Sequence, residues 1–138
     1  MNPELHVLGR AVKKVQYRQH RALDTALTAA GTTLAQWDAL RAVGRRPGAS
    51  ARELATATFQ TEQSFGTLAG RLLAQGLITR TPGHGRRLEH HLTPAGQALL
   101  TAGEQIADTV LTDHFAPLTP EERTTLLHLL HTLAPEDT

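Results

Sequence analysis

Two adjacent arginines, Arg86 and Arg87, follow the turn-forming sequence PGHG at residues 82–85. A guanidinium group is charged at neutral pH and donates paired hydrogen bonds to phosphate oxygens. No general base, nucleophile or metal-ligand motif accompanies the pair, so its type and spacing favour the binding of a phosphate backbone over catalysis. Arg52 and Arg80 are predicted to make further contacts of the same kind.

The charges of the chain are divided unevenly along its length. Residues 1–92 hold 13 of the 14 basic residues and six of the 13 acidic ones, a formal charge of +7. Residues 93–138 hold one basic and seven acidic residues, a formal charge of −6. Such asymmetry is typical of a polyanion-binding region joined to a segment with another task. Chance scatter of surface charge is the alternative.

The composition is that of a single globular domain, with 138 residues of which 40% are hydrophobic and 20% charged. The absence of cysteine excludes disulfides, cysteine-ligated metals and thiol-based sensing. A glycine-rich phosphate loop, G-x-S-x-G and H-E-x-x-H are all missing, so we predict no enzyme and no cofactor. No apolar leader opens the chain and no run of about 18 apolar residues follows, which predicts a cytoplasmic protein without membrane contact.

Eight histidines raise the question of a metal site. The two candidate groups are His114, His128 and His131, and His84, His90 and His91. Carboxylates at matching spacing are not evident, and adjacent residues of a strand point to opposite faces. We therefore predict exposed or core-packed histidines and no bound metal.

Helical periodicity and capping signals divide the first half of the chain. Apolar residues at three- and four-residue steps predict a helix over residues 3–30 and a second helix that stops at Pro47. Ser50 and Glu53 have the S-x-x-E spacing of a capping box and open a short third helix. After a tight turn, a fourth helix is predicted over residues 61–75. The predicted inner faces are Leu34, Trp37, Leu40 and Val43 in the second helix and Phe65, Leu68, Ala69 and Leu72 in the fourth. Two helices joined in this way predict helix-turn-helix organisation.

The stretch after the fourth helix alternates instead of following helical periodicity. Leu88, His90 and Leu92 would share one face of a strand, and a partner strand is predicted around residues 78–81. The two strands form a β-hairpin with the arginine pair near its tip, and we call residues 78–92 the wing. The predicted fold class is therefore mainly α with a small β-hairpin wing.

Two further helices are predicted after the wing. Thr93 with Pro94 opens the first, and Thr119 with Glu122 forms a second capping arrangement before the last helix. The last helix has too many leucines for one narrow stripe, which indicates a second neighbour, most simply another subunit. The predicted dimerisation residues are Leu5, Leu8, Leu126, Leu127, Leu130 and Leu133.

Several segments together resemble the MarR family of bacterial transcription regulators. They are LAQWDALRAV with RPGASARELA, LLAQGLITR, the wing, and LTPAGQALL, in the order and at the spacing of that family. The resemblance spans nearly the whole chain and implies one MarR-like domain over residues 1–138. It implies a winged helix-turn-helix DNA-binding lobe at residues 32–92, and a homodimer whose dimerisation region is formed by residues 3–30 and 93–134.

One position of the wing departs from the family. MarR-like wings usually carry an Asp-x-Arg pair whose arginine stands seven residues before the threonine of the LT sequence. Here Arg86 keeps the place of the arginine, and His84 stands where the aspartate normally orients it. The resemblance therefore implies that Arg86 is held less rigidly.

The resemblance also places the N-terminal turns of the fourth helix in the major groove of DNA. The residues predicted to reach bases or phosphates are Thr61, Gln63, Ser64, Thr67 and Arg71. A glutamine can form two hydrogen bonds with adenine, and a hydroxyl can bond a base or a phosphate. Glu62 has two interpretations, a contact with a cytosine amino group or a favourable charge at the helix N-terminus, and we prefer the second.

Many MarR-like proteins release DNA when a small aromatic anion binds between the dimer helices and the DNA-binding lobe. The residues of this chain that would line such a cleft are Tyr17, His20, Arg21 and Trp37. A lone tryptophan at a helical core position is more often part of the core, so both roles stay open for Trp37.

Together these features predict a homodimeric, sequence-specific transcription regulator that binds a pseudo-palindromic operator in double-stranded DNA, with half-sites about 10 bp apart. A repressor is the first expectation, an activator stays open, and a small aromatic effector is a further expected partner. The alternative is a winged-helix module that binds a protein partner without specific DNA binding. That alternative would leave the charge asymmetry unexplained.

Overall fold

The computed structural model describes residues 2–136 of the chain. Within them six helices and one antiparallel hairpin follow one another, which confirms the predicted mainly α class. The elements are α1 (Pro3–Ala29), α2 (Leu34–Arg45), α3 (Ala51–Ala57), α4 (Glu62–Ala74), β1 (Ile78–Pro82), β2 (Leu88–Leu92), α5 (Pro94–Phe115) and α6 (Pro120–Leu133). Within residues 2–136, no helix has both the length and the hydropathy of a membrane span.

Side-chain caps determine where the helices begin. Thr33, Thr61 and Thr93 each accept a hydrogen bond from the backbone N–H three residues further on, at 3.1, 3.1 and 3.0 Å. These bonds satisfy donors that the first helical turn leaves free, and each typically contributes about 1 kcal/mol. The capping boxes predicted at Ser50 and Thr119 are both complete.

The core lies between the C-terminal half of α1, the helices α2, α3 and α4, the start of β1 and the inner face of α5. The inward faces predicted for α2 and α4 are buried, namely Leu34, Trp37, Leu40 and Val43, and Phe65, Leu68, Ala69 and Leu72. Burial of a leucine or phenylalanine side chain contributes about 1.5–3 kcal/mol. This packing holds α4 by one face and leaves its opposite face in solvent.

The predicted hairpin is confirmed, with β1 and β2 antiparallel and Ile78 opposite Leu92. A further bridge joins β2 to the linker between α2 and α3. The His90 N–H donates to the Ala49 carbonyl at 3.1 Å, and the Gly48 N–H donates to the His90 carbonyl at 2.9 Å. The linker therefore pairs with the edge of β2 and ties the base of the wing to the helix-turn-helix.

Helix α5 packs against the lobe through small residues. Gly96 lies against the backbone of Leu77, and Gly103 lies against the ring of Trp37, so that a Cβ atom at either glycine would overlap its neighbour. The close approach allows Trp37 Nε1 to donate a hydrogen bond to the Leu100 carbonyl at 3.2 Å. Two glycines thus set the distance between α5 and the rest of the lobe.

Helix α6 has a different environment, because none of its residues is buried in the single chain. The exposed leucines among the predicted dimerisation residues are Leu5, Leu8, Leu127, Leu130 and Leu133, with Leu126 half-buried. The chain itself offers these side chains little cover.

Candidate nucleic-acid interface

Helix α4 presents a polar face to solvent. The structure brings the five predicted recognition residues together at the N-terminus and on the exposed face of this helix, namely Thr61, Gln63, Ser64, Thr67 and Arg71. The Thr61 hydroxyl accepts from the Ser64 N–H at 3.1 Å, and the Thr67 hydroxyl donates to the Gln63 carbonyl at 3.3 Å. Thr61 keeps its proton for an outside acceptor, and Thr67 keeps lone pairs for an outside donor.

The turn between α3 and α4 holds a residue that helical periodicity did not single out. Phe59 has a φ of 57°, in the left-handed region that favours glycine and asparagine, and its side chain is 98% exposed. The Gln60 N–H closes the turn by donating to the Ala55 carbonyl at 2.9 Å. Since no glycine marks this turn, the sequence carries no signal for the conformation.

The wing tip is closed by its own backbone. The Gly83 N–H donates to the Arg87 carbonyl at 2.8 Å, and the Arg87 N–H donates to the His84 carbonyl at 3.1 Å. The side chains of Arg80 and Arg86 are exposed, and neither forms a salt bridge within residues 2–136. Both guanidinium groups are therefore available to an external anion.

Arg87 has internal partners instead. Its Nη1 lies 2.7 Å from Glu53 Oε1, and its Nη2 donates to the Gly48 carbonyl at 3.1 Å. The same Glu53 oxygen accepts from the Ser50 N–H at 3.3 Å and from the Ser50 hydroxyl at 3.0 Å. The hydrogen bonds from Ser50, and then the charge of Arg87, hold the pKa of the Glu53 carboxyl below its ordinary value. Arg52, the other cation of this region, stays exposed on α3.

A histidine is buried at the base of the wing, which confirms core packing for one of the eight. The His90 side chain is fully buried, and its Nδ1 lies 2.8 Å from the Ala49 carbonyl, so that a neutral ring donates through Nδ1–H. Its Nε2 has no hydrogen-bond partner among the described residues. Burial lowers the pKa of His90 below its ordinary value. The neighbouring Phe65 ring meets it edge-on, with centroids 6.3 Å apart.

A groove of about 870 Å³ lies between α1, α2 and α5. The Arg41 guanidinium sits 4.7 Å from the centre of the Trp37 ring and 3.5 Å from the Asp38 carboxylate. Burial raises the pKa of the Asp38 carboxyl, although Arg41 opposes this shift. Helix α5 adds two further carboxylates to the lining. The groove therefore combines an aromatic ring with charges of both signs.

The structure separates the four residues that were predicted to line a ligand cleft. His20 and Trp37 line the groove, whereas Tyr17 and Arg21 do not. Arg21 Nη1 donates to the Tyr17 hydroxyl at 3.1 Å, one helical turn away, on an exposed face of α1. Their place in a ligand cleft, which was predicted between the dimer helices and the DNA-binding lobe, stays a prediction. Arg41, one turn after Trp37 in α2, is one of the groove residues that the prediction missed.

Comparison with known proteins identifies the family. Residues 30–87 match the MarR family. A putative transcriptional regulatory protein for the hcr operon of Thauera aromatica is 33% identical over 115 residues, which cover 82% of this chain and 69% of that protein. The chain belongs to the MarR family.

Solved structures of MarR proteins share the fold. A mutant MarR of E. coli complexed with operator DNA has a TM-score of 0.88 at 24% identity, covering 96% of both chains. A MarR family protein of Mycobacterium tuberculosis in complex with DNA has a TM-score of 0.76 at 25% identity, covering 92% of this chain and 97% of that one. The same protein in complex with p-aminosalicylic acid has a TM-score of 0.76 at 28% identity, covering 91% and 97%. The predicted fold class, mainly α with a β-hairpin wing, is therefore confirmed.

The wing of this MarR family member differs from the usual family pattern in the ion pair that orders an arginine. His84, in the place of the usual aspartate, is exposed and forms no salt bridge within residues 2–136. The carboxylate that orders a wing arginine comes instead from Glu53 in α3, and the arginine that it orders is Arg87. Arg86 stays free beside it.

Proposed function

We propose that this MarR family chain is a transcription regulator that binds a specific operator in double-stranded DNA as a homodimer. The observation that carries the proposal is the exposed polar face of α4, in the same lobe as a wing with the two exposed arginines Arg80 and Arg86. The formal charge of +7 on residues 1–92 favours a polyanionic partner. The DNA complex of the M. tuberculosis family member supports the same function.

In the proposed complex the N-terminal turns of α4 enter the major groove, as recognition helices of this class do. Gln63 would bond an adenine edge through its amide, and the hydroxyls of α4 would bond bases or phosphates. Arg80 and Arg86 of the wing and Arg52 of α3 would contact phosphates. Sequence specificity would come from α4, and most of the salt-dependent affinity would come from the arginines.

We propose that the exposed leucines of α1 and α6 are covered by a second copy of the chain. The N-terminal half of α1 exposes Val7, Val12 and Val15 beside its leucines. Apolar surface of this extent is typical of an interface, not of a monomer. The dimerisation region would be residues 3–30 and 93–134, and the lobe would be residues 32–92. A two-fold axis then implies a pseudo-palindrome with half-sites about 10 bp apart.

Repression relieved by a small aromatic effector is the proposed mode of regulation. The groove between α1, α2 and α5 is of a size that holds small ligands, and Arg41 above Trp37 offers an aromatic anion a charge and a ring. The M. tuberculosis complex with p-aminosalicylic acid supports this part of the proposal. A ligand there would lie where α5 meets the lobe, and it would shift the population of lobe positions that fit the operator. MarR family regulators are not enzymes, and we propose the same for this chain.

Fluorescence anisotropy tests the proposal with the DNA upstream of the protein's own gene and with a random duplex of equal length. We expect tighter binding to the upstream DNA and a steep loss of affinity with salt. Arg86→Ala should reduce the salt slope by about two for a dimer, because each wing loses one phosphate contact. Arg123→Ala, which removes an exposed arginine from α6, is the matched control and should leave the slope nearly unchanged.

Equal affinity for the upstream and the random duplex across several candidate operators would contradict the proposal. That outcome would favour the winged-helix module that binds a protein partner.

A further inference from the structure

Arg86 and Arg87 are neighbours in the sequence, but their surroundings differ. Arg86 is exposed and forms no salt bridge among residues 2–136. The Arg87 guanidinium lies between the Glu53 carboxylate of α3 and the Gly48 carbonyl of the α2–α3 linker, at 2.7 and 3.1 Å. We call Arg87, Glu53 and Gly48 the wing anchor. It joins the wing to the helix-turn-helix at a point closer to the tip than the backbone bonds of His90.

Stability alone does not account for the wing anchor. The Arg87 and Glu53 side chains are 42% and 37% exposed, and an ion pair in such surroundings contributes little to the free energy of unfolding. The geometry is restrictive, however, because a planar guanidinium bound to two acceptors has a fixed direction. The backbone carbonyl of Arg87 also accepts the hydrogen bond from Gly83 that closes the tip, at 2.8 Å. Fixing Arg87 therefore fixes the tip that carries Arg86.

We propose that Arg87 is a positioning residue: the wing anchor sets the distance and angle between the wing tip and α4 at which Arg86 meets the DNA backbone. This inference rests on the proposed DNA-binding function. It gives Arg87 a role different from the phosphate contact predicted from its sequence position. Of two adjacent arginines, one faces the DNA and the other faces the protein.

A double-mutant cycle on DNA binding separates positioning from direct contact. Arg86→Ala and Arg87→Ala should each weaken operator binding by about tenfold. The double variant should bind within about twofold of Arg86→Ala alone, because a positioning residue has no effect once the residue that it positions is gone. Losses that multiply, together with a further drop in the salt slope, would show that Arg87 contacts phosphate directly and would overturn the proposal.

Glu53→Gln distinguishes the wing anchor from simple charge repulsion between Glu53 and DNA, because the two predict opposite changes in DNA affinity. Glutamine still closes the capping box with Ser50 but removes the charge that holds Arg87. The wing anchor predicts binding weaker by about threefold. Simple charge repulsion predicts tighter binding, since an acidic residue is lost from the DNA-binding lobe. Glu121→Gln on α6 is the control for a lost carboxylate, and a gain of affinity in Glu53→Gln would overturn the proposal.

Hydrogen exchange of the free protein decides the structural part without DNA. The amides of Gly83 and Arg87 should exchange about threefold faster in Arg87→Ala and in Glu53→Gln than in the wild type, while Arg86→Ala leaves them unchanged. Unchanged exchange in the first two variants would overturn the wing anchor. A third outcome is that the variants show this exchange pattern but the wild-type protein binds no operator in preference to random DNA. That outcome would overturn the proposed function and the DNA-positioning role, and it would leave the wing anchor as a structural contact.

Discussion

Helix α3 of the helix-turn-helix lobe and helix α6 begin with the same kind of N-terminal cap, but the two helices are buried to different extents. Helix α3 opens with the complete capping box of Ser50 and Glu53, and α6 opens with that of Thr119 and Glu122. Helix α3 then places Leu54 in the core at 0% exposure, whereas no residue of α6 is buried. A capping box acts within one turn, so it determines where a helix starts. What covers the helix depends on residues elsewhere, in this chain or in another.

The largest effect is expected from substitutions of the exposed leucines of α6, which should disrupt the proposed dimer. Leu127→Glu combined with Leu130→Glu should convert the proposed dimer to a monomer, because each buried leucine contributes about 1.5–3 kcal/mol and both subunits change. The dissociation constant of the dimer should rise by more than about a thousandfold. Size-exclusion chromatography with light scattering measures the change, and operator affinity should fall with it.

Thr125→Glu is the control for this variant, since it adds a charge to α6 without removing a leucine. It should leave the dimer intact. The lobe should stay folded in the leucine double variant, as reported by the fluorescence of Trp37, which is buried against α5. A double variant that remains dimeric would show that the leucines of α6 do not form the interface. The low burial of α6 in the single chain would then not mark it as a surface that a second subunit covers.

The next effect lies where the lobe meets α5. Gly96→Ala should lower the free energy of unfolding by about 1–3 kcal/mol, because the added Cβ would overlap the Leu77 backbone, which cannot rotate away as a side chain can. Gly70→Ala in α4 is the matched control, since a Cβ there meets no atom within 4 Å. Alanine should stabilise that position by up to about 1 kcal/mol. Urea unfolding measures the change in the free energy of unfolding for both variants. If Gly96→Ala stabilised the protein as Gly70→Ala does, the close packing of α5 on Leu77 would be contradicted.

The features predicted from the sequence are those that act over a few residues or along one periodic element. The capping boxes at Ser50 and Thr119, the hairpin, and the buried face of α4 around Phe65 all belong to this group. The polar face of α4 follows from the buried one, which is why its residues could be predicted as a set.

Features that join distant segments could not be predicted in the same way. Arg87 meets a carbonyl 39 positions earlier, and Trp37 donates to a carbonyl 63 positions later. Gly96 is a poor helix former by local criteria, and only its neighbour explains it.

The smallest expected effect is a pH dependence of the free energy of unfolding, which distinguishes the lobe from α6 by the burial of a histidine. The lobe contains the buried His90, whereas His128 on α6 is exposed. Burial lowers the pKa of His90, and the charges of Arg80 and His91 lower it further. Below the ordinary histidine pKa the unfolded chain therefore takes up a proton at this position before the folded chain does. The free energy of unfolding should therefore fall as the pH drops through the ordinary histidine pKa of about 6.5, and the fall should end only where the folded chain also takes up the proton.

His90→Asn isolates this contribution, because asparagine can still donate to the Ala49 carbonyl but does not titrate. The variant should lose part of the pH dependence that the wild type shows. Urea unfolding at one fixed protein concentration measures the wild type and the variant, since dimerisation makes the apparent stability depend on concentration. If His90→Asn kept the full pH dependence, the ring would take up protons in the folded state as readily as in the unfolded chain. The base of the wing would then be as open to solvent as α6, and the contrast between the two regions would not extend to their histidines.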